Sequence, residues 1–147
     1  MAYAGHASAA VVLVWLTLWL QAVGMAALIR GVQARLTDEM SHLGVFRSGI
    51  MMVRFTGAIF VLHLLQISLW AGFYRWKCFR SWEAAFYFSA TSYSTVGYGD
   101  LTLPVVWRNL GPLEGVAGML MSGLSAALLF AIVLRLVERE TSFSLKS

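Results

Sequence analysis

At 147 residues the chain is long enough for one small domain, but 59% of it is hydrophobic and only 12% is charged, about half the ordinary charged share. That excludes an ordinary soluble domain, because so apolar a chain needs lipid or many partner chains to cover it. The net charge of +4 is no nucleic-acid signal, since the basic residues flank apolar stretches, and the single cysteine, Cys78, excludes a disulfide framework within the chain.

Three windows lack Asp, Glu, Lys and Arg: Ala7–Ile29, Phe55–Tyr74 and Gly115–Leu134. At about 1.5 Å per residue, 20 residues reach about 30 Å, the thickness of a bilayer's hydrocarbon core. Each window therefore predicts a spanning helix. No Lys or Arg precedes the first, so it lacks the basic start of a signal peptide and is expected to be retained. Between the first and second windows, Thr37 with Asp38 and Glu39 reads as a helix start. Met40, Leu43, Phe46 and Ile50 follow at spacings of three or four, with Arg47 and Arg54 among them. This predicts either a short helix in the membrane interface or a polar loop.

After the second window comes a basic loop with Arg75, Lys77 and Arg80. Ser81 is then placed to cap a helix over Trp82–Tyr93, with Glu83 near its positive end. About 12 residues cannot span a bilayer, so this element is predicted to be re-entrant. Pro104 and Gly111-Pro112 interrupt the chain again, and Pro112 suits the first turn of the third spanning helix. The expected organisation is 1–36 N-terminal spanning helix, 37–54 cytoplasmic interfacial segment, 55–138 pore domain and 139–147 short tail. The expected fold class is an all-α membrane protein: three transmembrane helices, one re-entrant helix and one extended segment.

Lys and Arg counts orient it. One side would hold Arg30, Arg35, Arg47, Arg54, Arg135, Arg139 and Lys146, and the other Arg75, Lys77, Arg80 and Arg108. The richer side should be cytoplasmic, which puts the N-terminus outside and the C-terminus inside.

The chemistry is concentrated in Thr95-Val96-Gly97-Tyr98-Gly99-Asp100. A bare cation in hydrocarbon is prohibitively costly, so a pore must replace its water shell with oxygens. Thr95, Val96, Gly97 and Tyr98 each offer a backbone carbonyl, and Thr95 adds a hydroxyl. Successive carbonyls can point one way only if alternate residues adopt unusual dihedrals, which Gly97 and Gly99 reach at low steric cost. Irregular backbone at membrane depth is tolerated where it is buried in protein or lines a wet cavity. The negative end of the preceding helix, near Ser92 and Tyr93, would stabilise a cation below such a filter.

This hexapeptide, in the order outer helix, short helix, filter, inner helix, resembles the potassium-channel pore domain of prokaryotic two-helix channels, over about Arg54–Glu138. An extra N-terminal helix precedes it here. The resemblance implies a potassium-selective channel, a homotetramer in a lipid bilayer, with K+ bound at Thr95, Val96, Gly97 and Tyr98 and no other cofactor. It implies filter support from Gly99, Asp100, Tyr87 and Phe88, with Tyr98 packed on the aromatics of the short helix. Some relatives pair the aspartate with a glutamate; the matching residue here is Thr91. Gly118 and Gly123 lie near the hinge glycines of relatives, and small residues for close helix packing are the competing reading.

The first window carries no arginine series, so it is not the usual voltage sensor. His63 lies at mid-depth in the second window with Gln66 on its face. It reads as a polar contact between helices or a pH-sensing group, with Ser122 and Thr17 at matching depth. Zinc-ligand spacing, a nucleophile–base pair and a phosphate loop are absent from the sequence, so an enzyme is not expected. A silent or regulatory subunit of a heteromeric channel is the alternative to a conducting one.

Overall fold

The computed structural model describes residues 2–37 and 45–144. Four helices follow in order: α1 (Ala2–Thr37), α2 (Val45–Lys77), α3 (Trp82–Tyr93) and α4 (Leu110–Ser144). Spans long and apolar enough to cross a membrane are Ala7–Ala34, Gly49–Lys77 and Leu110–Arg135, one in each long helix. The architecture is that of an all-α membrane protein.

All three long helices run past the charge-free windows that predicted them. Arg30 lies within α1, Arg54 within α2, and Arg135 and Glu138 within α4. Charge sets where a helix leaves the hydrocarbon, whereas Arg, Lys, Gln and Glu are good helix formers and do not end it. Thus 45–54 is no separate interfacial helix; it forms the first turns of α2. Thr37 closes α1 instead of starting a helix, and Asp38–Gly44, with Met40 and Leu43, lie outside the described residues. Most of the expected tail is helical too, since α4 runs to Ser144.

Helix α3 has the predicted bounds. The Ser81 side chain accepts from the Ala84 N–H at 3.1 Å, and Glu83 sits in the first turn. Pro112 falls in the first turn of α4, where its missing N–H would have no helical acceptor.

Two apolar clusters fix the arrangement. Leu13, Trp70, Tyr74, Ala85, Leu103 and Leu110 meet at one end; Val32, Phe55 and Ile132 meet at the other. Helices α1 and α4 therefore run parallel, with α2 antiparallel to both, and the N-terminal half of α1 stands at the same end as α3. In lipid, apolar burial contributes little to helix association, so close approach and polar contacts must hold the bundle. Gly24 permits such an approach, because a Cβ there would stand 2.6 Å from both Leu62 methyls. The indole of Trp70 donates to Thr17 Oγ1 at 2.9 Å, and that hydroxyl donates to the Leu13 carbonyl at 2.8 Å.

Candidate ion-conduction site

The chain leaves α3 by folding its next amides back onto the helix end. Ser94 N–H donates to the Ala90 carbonyl (3.1 Å), Thr95 N–H to Ser92 (3.0 Å), and Val96 and Gly97 N–H to Thr91 (2.9 and 3.0 Å). These bonds occupy carbonyls that a helix C-terminus leaves without partners. Every one of the donors is an N–H of 94–97. No backbone N–H among the described residues donates to the carbonyls of Thr95, Val96, Gly97 or Tyr98.

Three alternate residues have positive φ: Thr95 (62°), Gly97 (53°) and Gly99 (78°). The glycines were expected to do so. Thr95 was not, because a β-branched residue with positive φ is a genuine outlier that costs energy and persists only where its surroundings enforce it. The carbonyls of Thr95, Val96, Gly97 and Tyr98 are thus free of backbone donors in a segment with positive φ at every second residue.

Beside this segment, the interaction of the Tyr87 phenol with Asp100 holds that phenol above its usual range. Thr91, at the position where relatives carry a glutamate, turns its hydroxyl back to the Phe88 carbonyl at 3.0 Å. The Phe88 ring packs edge-on against Tyr74, with centroids 5.1 Å apart, and tilted against Phe79, beside the chain's own core; it also lines a cavity with Thr95, Gly97 and Gly99. Tyr98 itself is 72% exposed in the single chain.

Behind this segment, α4 approaches α3 on a glycine face. A Cβ at Gly118 would collide with the Tyr93 carbonyl oxygen, and one at Gly115 would stand 3.2 Å from the Ser92 carbonyl. Gly123 has nothing within 4 Å of such an atom.

Buried polar groups link all four helices there. Tyr93, the last residue of α3, donates its hydroxyl to Gln66 Oε1 and lies 2.8 Å from His63 Nδ1. Gln66 Nε2 donates to Gln21 Oε1 at 2.8 Å, and Gln21 Nε2 reaches Ser125 Oγ (3.0 Å) and the Met121 carbonyl (3.3 Å). His63 and Gln66 thus meet as their spacing predicts, but their partner is Tyr93, not the predicted Ser122 or Thr17; Thr17 is engaged with Trp70. Depth alone suggested those partners. Helix α3 instead inserts its end between α2 and α4 and brings a phenol to the site. Gln21 and Tyr93 were missed, although an uncharged amide inside a charge-free window is a legible signal of a polar contact between helices.

A family model for ion channels matches residues 50–135, more than half of the chain. The chain belongs to the ion channel family. No curated protein and no solved structure matches it. The match begins near the start of α2 and ends within α4, so the channel's pore region comprises α2, α3, the 94–100 segment and most of α4, with α1 outside it. With three apolar helices of spanning length, the channel is a multi-pass membrane protein.

Proposed function

We propose that this channel conducts potassium selectively and passively through a homotetrameric pore whose filter is Thr95–Asp100. The observation that carries this reading is that the four carbonyls from Thr95 to Tyr98 are free of backbone donors in a segment with positive φ at every second residue. Such carbonyls replace the hydration shell of a weakly hydrated cation without supplying a net charge. The complete hexapeptide, including the tyrosine that non-selective relatives replace, favours potassium over a general cation pore. One chain lines one side of a path, so copies must surround it. Val96, Tyr98, Val116, Met119 and Leu120 are exposed along the filter and α4, faces that fourfold packing would cover.

The test is flux through purified protein in vesicles holding a potassium/sodium gradient. The expected reversal potential follows potassium. A potential indifferent to that gradient overturns the selectivity, and absence of current from this chain expressed alone favours the silent-subunit alternative.

The basic-residue count supports a cell membrane placement with the N-terminus outside. A cysteine at Ser8, in a Cys78-free background, should then react with an impermeant reagent in intact cells. The background matters little at neutral pH, because burial pushes the native Cys78 thiol up to about 11 and keeps it mostly protonated. Labelling only after lysis would reverse the placement.

A further inference from the structure

Glu114 is the one acid in the first half of α4, and it is fully buried, with 0% exposure. It stands where α2, α3 and α4 meet. The Tyr74 hydroxyl, from α2, donates to its Oε2 at 2.8 Å. Its Oε1 lies 2.5 Å from Ser89 Oγ, from α3. That same Ser89 Oγ lies 2.8 Å from the Ile67 backbone carbonyl.

The protons at this junction can be counted. A serine hydroxyl has one hydrogen to give, and a backbone carbonyl can only accept. The Ser89 hydrogen must therefore point at Ile67, or the two oxygens would meet lone pair to lone pair. The short contact to Glu114 then needs a hydrogen of its own, and the carboxyl is the only group left to supply it. A separation of 2.5 Å lies within the range for O–H···O bonds. A buried carboxylate without a cation costs far more than the neutral acid, and the titratable groups facing Glu114 are Tyr74 and Tyr93, neither cationic.

We propose that Glu114 is held as a neutral carboxylic acid that donates its proton to Ser89 Oγ and, through this bond and the one from Tyr74, positions α3 behind the filter. The proton completes a chain running Tyr74 to Glu114 to Ser89 to the Ile67 carbonyl. Ser89 lies near the middle of α3 and the filter begins directly after that helix, so release of this anchor lets the helix end and the carbonyls that follow it shift. Glu114 touches no ion; it is a positioning residue. The inference rests on the filter reading above for its consequence, but not for the proton.

The closing experiment has two independent readouts. Infrared spectra of the full channel in lipid at neutral pH should contain a protonated-carboxyl carbonyl band that Glu114→Gln removes. An amide keeps both contacts, since its N–H can donate to Ser89 and its oxygen accept from Tyr74. Glu114→Gln should therefore retain the oligomer and the potassium/sodium permeability ratio, while Glu114→Ala and Ser89→Ala, which strand buried partners, should lower that ratio by about tenfold. Absence of the band, or Glu114→Gln impairing selectivity as much as Glu114→Ala, overturns the proposal. Loss of selectivity in the unmodified channel strikes the filter reading and leaves the band to be judged alone.

Discussion

Gly118 and Gly123 look alike in the sequence, five positions apart in one helix, yet they meet different surroundings. At Gly118 the obstacle to a side chain is the Tyr93 backbone carbonyl, which cannot rotate away. Gly118→Ala should push α4 off α3 and cost about 1–3 kcal/mol, the usual range for overpacking, seen as a lower dissociation temperature of the oligomer. Gly123→Ala meets nothing within its own chain and should leave that temperature unchanged, so any change in open probability there would point to bending or to a neighbouring subunit. His63 can be treated the same way. Tyr93 gives its one hydroxyl hydrogen to Gln66, so His63 Nδ1 must donate to the phenol oxygen. Nδ1 carries a hydrogen in this neutral tautomer and in the imidazolium alike, so protonation at Nε2 leaves the contact in place. A polar contact between helices fits this better than a pH sensor. His63→Leu should weaken assembly by about 0.6 kcal/mol, the average for such bonds in membranes. His63→Gln should leave unchanged whatever pH response the current has between about pH 5 and 8. A response abolished by both substitutions would restore the sensor.

At the scale of elements, Gln21 ties α1 to the pore region. Gln21 makes three hydrogen bonds, to Gln66 on α2 and to Met121 and Ser125 on α4. At about 0.6 kcal/mol each, Gln21→Leu should destabilise the assembled protein by roughly 2 kcal/mol, with Gln21→Glu no better because it would bury a charge. Thermal dissociation of the oligomer checks it; unchanged stability in Gln21→Leu would make α1 a peripheral span. How far the elements were legible follows from what encodes them. The bounds of α3 depend on local chemistry, the Ser81 cap and the turn after Tyr93, and local chemistry is written in order along the chain. α1, expected over 1–36, runs to Thr37, whereas α2 and α4 run beyond their expected bounds because charge marks the water boundary and not the helix boundary. The Thr95–Asp100 segment was legible as a motif, and the positive φ of its glycines follows from their lack of a side chain. The positive φ of Thr95 does not, since its own chemistry opposes it and the fold around it must impose it. The bonds of Glu114 to Tyr74 and Ser89 span 40 and 25 residues of sequence, and no local pattern records such distances.

For the whole molecule the decisive quantity is the number of chains around the path. Each chain carries one Thr95–Asp100 segment, so with the proposed filter a pore built of n chains fails if any one copy is broken, provided the mutant still assembles. A substitution confined to this segment meets that condition. Gly99 has positive φ and no neighbour within 4 Å of an added Cβ inside the chain, so Gly99→Ala strains the filter without clashing with the core. Co-expression of equal amounts of Gly99→Ala and unmodified chains should then leave intact filters in roughly one assembly in sixteen for a tetramer, one in four for a dimer and one in two for an independently conducting chain. Potassium flux normalised to total channel protein reads these values directly, after a control showing that Gly99→Ala alone yields oligomers of normal size and no selective current. Residual flux near one sixteenth supports four subunits. A value near one quarter excludes them, and with them the covering of the exposed α4 face by fourfold packing.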